Sequence, residues 1–148
     1  MSKRTTAVAA WESLFRAQVT VMRRLQAEFP SEIISLNEYD VMFNLSRQPG
    51  HQLRLKDLNT HVLITQPSVS RLVDRLVARG YLSKSDDPND GRGTIVTLTE
   101  SGFDVFRRVA LEHMDGISTH MGDALDADEL AQLTALCDKL RRGVAGTE

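Results

Sequence analysis

A chain of 148 residues, 41% hydrophobic and 26% charged, is long enough for one ordinary core and too apolar for general disorder. No run approaches the eighteen or so apolar residues of a membrane span, and the stretch after Met1 is amphipathic, with Glu12 and Arg16, rather than an apolar signal core, so a cytoplasmic location is expected. The net charge of -2 argues against a generic polyanion-coating protein, and a single cysteine, Cys137, excludes an internal disulfide and a thiolate metal cluster.

In chain order, Trp11, Leu14, Phe15, Val21, Met22, Leu25 and Phe29 follow the three-and-four spacing of a long helix over residues 8–29, stopped at Pro30. Ser35 and Glu38 have capping-box spacing and open a second helix that ends at Pro49-Gly50. A third, short helix is expected over residues 56–61, with residues 53–55 before it as a short strand. The fourth is the clearest: Thr65 caps it, Pro67 lies in its first turn, and Val69, Leu72, Val73 and Leu76 form one apolar stripe before Gly80 ends it. Residues 81–85 and 94–98 read as strands around the turn-rich octet 86–93, a hairpin tip. Thr99 then caps a long helix, and Asp126 with Glu129 repeats the capping signature before a last one. The fold class is therefore mainly α with a small β-hairpin wing, a winged helix-turn-helix.

The fourth helix opposes its apolar stripe with Pro67, Ser70, Arg71, Asp74 and Ala78, flanked by Ser68 and Arg75. Hydroxyls and guanidinium forks at the start of a helix suit base edges and phosphates, because arginine pairs bidentately with guanine and serine bonds either group. Locally the charge is basic: Arg71, Arg75, Arg79 and Lys84 face one acid, Asp74. Pro88 and Gly91 shape a tip from which Arg92 projects toward a narrow minor groove, with Asp90 orienting it or closing the turn. Against this stand plainer readings: Arg71 and Arg75 as solvated surface charge, and a turn salt bridge at Asp90.

These residues resemble the MarR-type (multiple antibiotic resistance regulator) transcription factors. The resemblance is carried by Leu63-Ile64-Thr65-Gln66-Pro67-Ser68-Val69-Ser70-Arg71-Leu72-Val73-Asp74-Arg75-Leu76, by Gly80-Tyr81-Leu82, and by Asp90-Gly91-Arg92 with Val96-Thr97-Leu98-Thr99 and Gly102. It implies a single domain over 1–148, with dimerisation helices at 7–30 and 100–143 and a DNA-binding region at 35–99. It also implies a homodimer on a pseudo-palindromic double-stranded DNA operator, acting as a repressor released by a small molecule. Carried over residue by residue, the DNA-binding set is Thr65, Gln66, Pro67, Ser68, Ser70, Arg71, Arg75, Asp90 and Arg92. Wide apolar faces on the terminal helices point independently to a partner surface, or else to packing within their own domain.

Trp11, Arg54 and His113 resemble the branch of that family responding to urate or related aromatic acids, so they are the candidate ligand-binding residues for an aromatic or anionic effector. The branch's pocket acid has no counterpart where Gly50 and His51 stand, and a core or interface role for Trp11 remains the competing reading. His113 and His120 are two helical turns apart, about 10 Å, and cannot share one ion directly, so no metal and no cofactor are expected. Cys137 lies on an apolar stripe, where cysteine is usually inert. No phosphate-binding glycine loop or nucleophile elbow is present, so no enzymatic activity is expected. The rival function is a winged-helix module that binds protein, which would expose apolar anchors on the fourth helix instead of Ser68, Ser70, Arg71 and Arg75.

Overall fold

The N-terminal apolar repeat forms helix α1, Lys3–Glu28, which begins five residues earlier than its first apolar position suggests and ends two residues before Pro30. The structure is a computed structural model that describes residues 2–62 and 66–146, without the side chains of Gln66 and Pro67. Ser35 caps α2, Leu36–Ser46: its hydroxyl accepts the Glu38 N–H at 3.1 Å, and the Glu38 carboxylate accepts the Ser35 N–H at 2.8 Å. Such a reciprocal cap is worth about 1 kcal/mol. A 3-10 turn, Pro49–His51, then reverses the chain with Gly50 and His51 both at positive φ. The His51 ring stacks on Phe103 at 5.0 Å, a contact that helps hold a non-glycine residue in that backbone region.

Strand β1, Gln52–Arg54, leads into α3, Leu55–His61, and α4 follows over Gln66–Ala78. Strands β2, Leu82–Asp87, and β3, Asp90–Leu98, complete an antiparallel sheet ordered β1-β3-β2. The octet expected to be a hairpin tip is mostly ladder: only Pro88 and Asn89 lie outside the strands, and the register shifts between Asp86 and Asp87 to fit the close. Helix α5, Glu100–Ala124, begins at Thr99, whose hydroxyl accepts the Gly102 N–H at 3.0 Å. Helix α6, Ala127–Ala145, opens with the second capping box, Asp126 with Glu129.

Two compact units divide the chain: Phe29–His113, and Met1–Glu28 with Met114–Glu148. The first holds a continuous core that includes Ile34, Val41, Met42, Leu45, Leu58, Val69, Val73, Leu76, Leu82 and Val96. Removing these side chains from water is the main force holding α2, α3 and α4 against the sheet. In the second unit Leu25 is buried and Glu28 meets His120 Nε2 at 2.7 Å. Its helices leave large apolar side chains in solvent, among them Trp11 at 61% exposure, Phe15 and Leu136.

Candidate nucleic-acid interface

Helix α4 presents two chemically different faces. Val69, Leu72, Val73 and Leu76 are buried, as the i, i+3, i+4, i+7 spacing requires, while Arg71, Asp74 and Arg75 are exposed and Ser68 and Ser70 half-buried. Its C-terminal end is fixed tightly. Gly80, at φ 81°, donates its N–H to Val77 O, and Tyr81 donates to Leu76 O, both at 3.0 Å, a Schellman close. The Arg79 guanidinium lies over the Tyr81 ring, 4.9 Å from its centroid, and approaches Glu38 at 3.9 Å. Thr65 and the side chains of Gln66 and Pro67, all placed in the DNA-binding set by sequence, lie outside the described residues.

The acid on this face is not left to oppose phosphate by itself. Lys84 Nζ of β2 reaches Asp74 Oδ1 at 2.5 Å, tying the wing strand to the helix and offsetting the carboxylate's charge. Both partners are substantially exposed, so the pair contributes little to stability. At the other end of the hairpin, Asp90 accepts the Arg92 backbone N–H at 3.1 Å, so this carboxylate closes the turn through the backbone, while the Arg92 side chain is exposed. Asp87, in sequence one of several acids of the turn-rich octet, is almost fully buried, with Arg54 Nε 2.7 Å from its Oδ2. The approach lies off the N–H axis and is an ion contact rather than a directed hydrogen bond.

The three residues read as effector contacts are in different settings. Trp11 lies beside Phe15 with ring centroids 5.9 Å apart. Arg54 is engaged with Asp87. His113 meets Phe29 and Tyr39 edge-on at 5.2 and 5.0 Å, and burial lowers its pKa, favouring the neutral ring. Burial likewise raises the pKa of Tyr39, with the neighbouring Asp40 charge adding to it; burial also raises that of Asp40, against the opposing Asn44 hydrogen bond. Among the described residues no three of His, Cys, Asp and Glu form a group able to hold a metal ion, and no helix is long and apolar enough to cross a membrane.

The MarR family model matches residues 34–93, the segment from α2 through the wing turn. The whole fold is similar to Sco3205 of Streptomyces coelicolor, a MarR family transcriptional regulator solved in complex with DNA, with TM-score 0.77, 25% identity, and coverage of 97% of this chain and 89% of that one. The match and the shared fold support a MarR-type winged-helix transcriptional regulator. MarR members are transcription regulators, not enzymes. Another MarR-like relative is the transcriptional regulator PecS of Dickeya dadantii, 25% identical over 104 residues, which are 70% of this chain and 63% of that protein. The match spans between about half and two thirds of the length of the curated relatives, 51% to 63%. BpsR of Bordetella bronchiseptica, whose DNA binding is regulated by 6-hydroxynicotinic acid, is similar in structure with TM-score 0.74, 25% identity, and coverage of 88% and 91% of the two chains.

Proposed function

We propose that this protein is a sequence-specific double-stranded DNA-binding transcriptional regulator, working as a homodimeric repressor on a pseudo-palindromic operator. The observation that carries the reading is α4, whose apolar stripe is buried and whose opposite side offers Ser70, Arg71 and Arg75. A protein-binding winged helix would need apolar anchors there. In this reading residues 1–148 act as one functional domain: 35–99 engage DNA, and 7–30 with 100–143 form the dimer. Ser68, Ser70 and Arg71 meet the major groove, with Thr65, Gln66 and Pro67 assigned to the same set, while Arg75 meets phosphate. Arg92 enters the adjacent minor groove on a turn closed by Asp90.

Selection of bound sequences from random duplex DNA tests this directly. Two inverted half-sites about one helical turn apart are expected. Arg71→Ala, selected in parallel, should lose preference at one position of each half-site, at a cost of about 1 to 3 kcal/mol. Recovery of no enriched sequence would sink the reading.

The second part of the proposal is a small aromatic or anionic effector that releases the operator, with Trp11, Arg54 and His113 each a candidate contact. Support comes from the exposed indole of Trp11 and from BpsR, whose DNA binding responds to an aromatic acid. Titration with a panel of hydroxylated aromatic acids should quench the fluorescence of Trp11, the chain's one tryptophan. A flat response across the panel removes Trp11 from the account.

A further inference from the structure

Arg54 and Asp87 belong to the two outer strands of the sheet, with β3 between them. Their side chains nevertheless meet, at 2.7 Å between Nε and Oδ2. At this level β3 presents Gly93. A Cβ on residue 93 would lie 3.1 Å from the Asp87 Cβ and 3.5 Å from the Oδ2 that Arg54 touches, so the bare glycine leaves the gap through which the pair forms. The Asp87 side chain is only 2% exposed, and among the described residues Arg54 is the cation that compensates it. Its other oxygen accepts the Asn89 N–H at 2.9 Å, and Asp90 accepts the Arg92 N–H at 3.1 Å. A continuous line of contacts therefore runs from β1, across the sheet, to the turn that carries Arg92.

We propose that Arg54 is a positioning residue for the wing: acting through Asp87, over Gly93, it fixes the direction in which the hairpin presents Arg92. The inference rests on the DNA-binding reading above. A two-stranded hairpin is marginally stable by itself, and a tip so supported cannot hold an arginine at a set angle. A brace to the third strand supplies the missing constraint. It is also sensitive to loss of either partner, since a buried carboxylate without its cation is strongly disfavoured and is driven toward water.

Two measurements test the brace. In the DNA-free protein, amide hydrogen exchange should quicken about tenfold at Asn89 and Arg92 in Arg54→Ala, with the ladder near Leu82 and Leu98 unchanged. On the duplex recovered by selection, Arg54→Ala should weaken binding about tenfold in the parent chain and add nothing in an Arg92→Ala background. Because Arg54→Ala leaves Asp87 buried without its cation, Arg54→Ala/Asp87→Ala, which removes both charges, is measured beside it and should give the same loss. Unchanged exchange at Asn89 and Arg92 overturns the brace, whatever happens on DNA. Equal losses in the presence and absence of Arg92 overturn its action through that residue. Failure of the parent chain to bind any duplex overturns the DNA reading instead, and the exchange result then decides the brace by itself.

Discussion

His113 sits edge-on to Phe29 and Tyr39, and burial favours its neutral form, so the folded protein resists a proton that the unfolded chain accepts freely. Its folded pKa lies below the ordinary value of about 6.5, which means that the unfolded state binds more protons as pH falls through that value. Stability contributed by the neutral ring is full above about pH 6.5 and is lost on acidification toward the lower folded pKa. Asp40 acts in the opposite sense: its raised pKa favours the fold at low pH and costs stability as pH climbs above the ordinary carboxylate range. Melting temperature followed from pH 7.5 to 5.5 should therefore fall, and His113→Phe, which keeps an aromatic ring without the proton site, should flatten the decline. An equal decline in the variant would assign the effect to other groups.

At the scale of elements, the residue that follows the close of α4 and the first turn of α5 approach each other closely. A Cβ at Gly102 would lie 2.0 Å from the Tyr81 carbonyl oxygen, a backbone atom that cannot swing aside. Gly102→Ala should destabilise the protein by roughly 3 kcal/mol, seen as a lower denaturant midpoint at unchanged slope. A midpoint within error of the parent would show that α5 can shift without cost. Both capping boxes, the buried stripe of α4 and the left-handed Gly80 are legible in the sequence, because each is a local rule with short-range partners. Arg54 and Asp87 are thirty-three positions apart and joined across a third strand, so in the sequence Asp87 is one more turn acid. The Asp74–Lys84 contact was equally hidden, since it depends on where β2 lies beside α4. Nor did the turn residues at 86–93 reveal that the ladder runs nearly to the tip, because Asp87 and Asp90 satisfy the turn amides with their own carboxylates.

For the molecule as a whole, the unit formed by α1, α6 and the end of α5 buries Leu25 but leaves Trp11, Phe15, Met114, Leu136 and Leu140 largely in solvent. No residue of α6 is buried, although its apolar positions repeat at helical spacing. Apolar surface on this scale marks an association site, and the proposed homodimer is its natural occupant. The parent chain should sediment at twice its sequence mass. Leu136→Asp/Leu140→Asp, at positions 65% and 51% exposed, should sediment as a monomer with an unaltered helical spectrum. Losing the second half-site should weaken operator binding about a hundredfold or more. A variant that stays dimeric would move the interface away from α6.

The clamp around Thr99 also has a mechanical meaning. Its N–H and hydroxyl donate to the carbonyls of Tyr81 and Gly80 at 3.1 and 2.7 Å, and Gly102 rests on the same Tyr81 carbonyl. The C-terminal end of α4 is thus a pivot, and its thirteen residues form a lever about 18 Å long. A tilt of only about 10° at that pivot carries the opposite end of the helix through about 3 Å, close to the rise of one base pair.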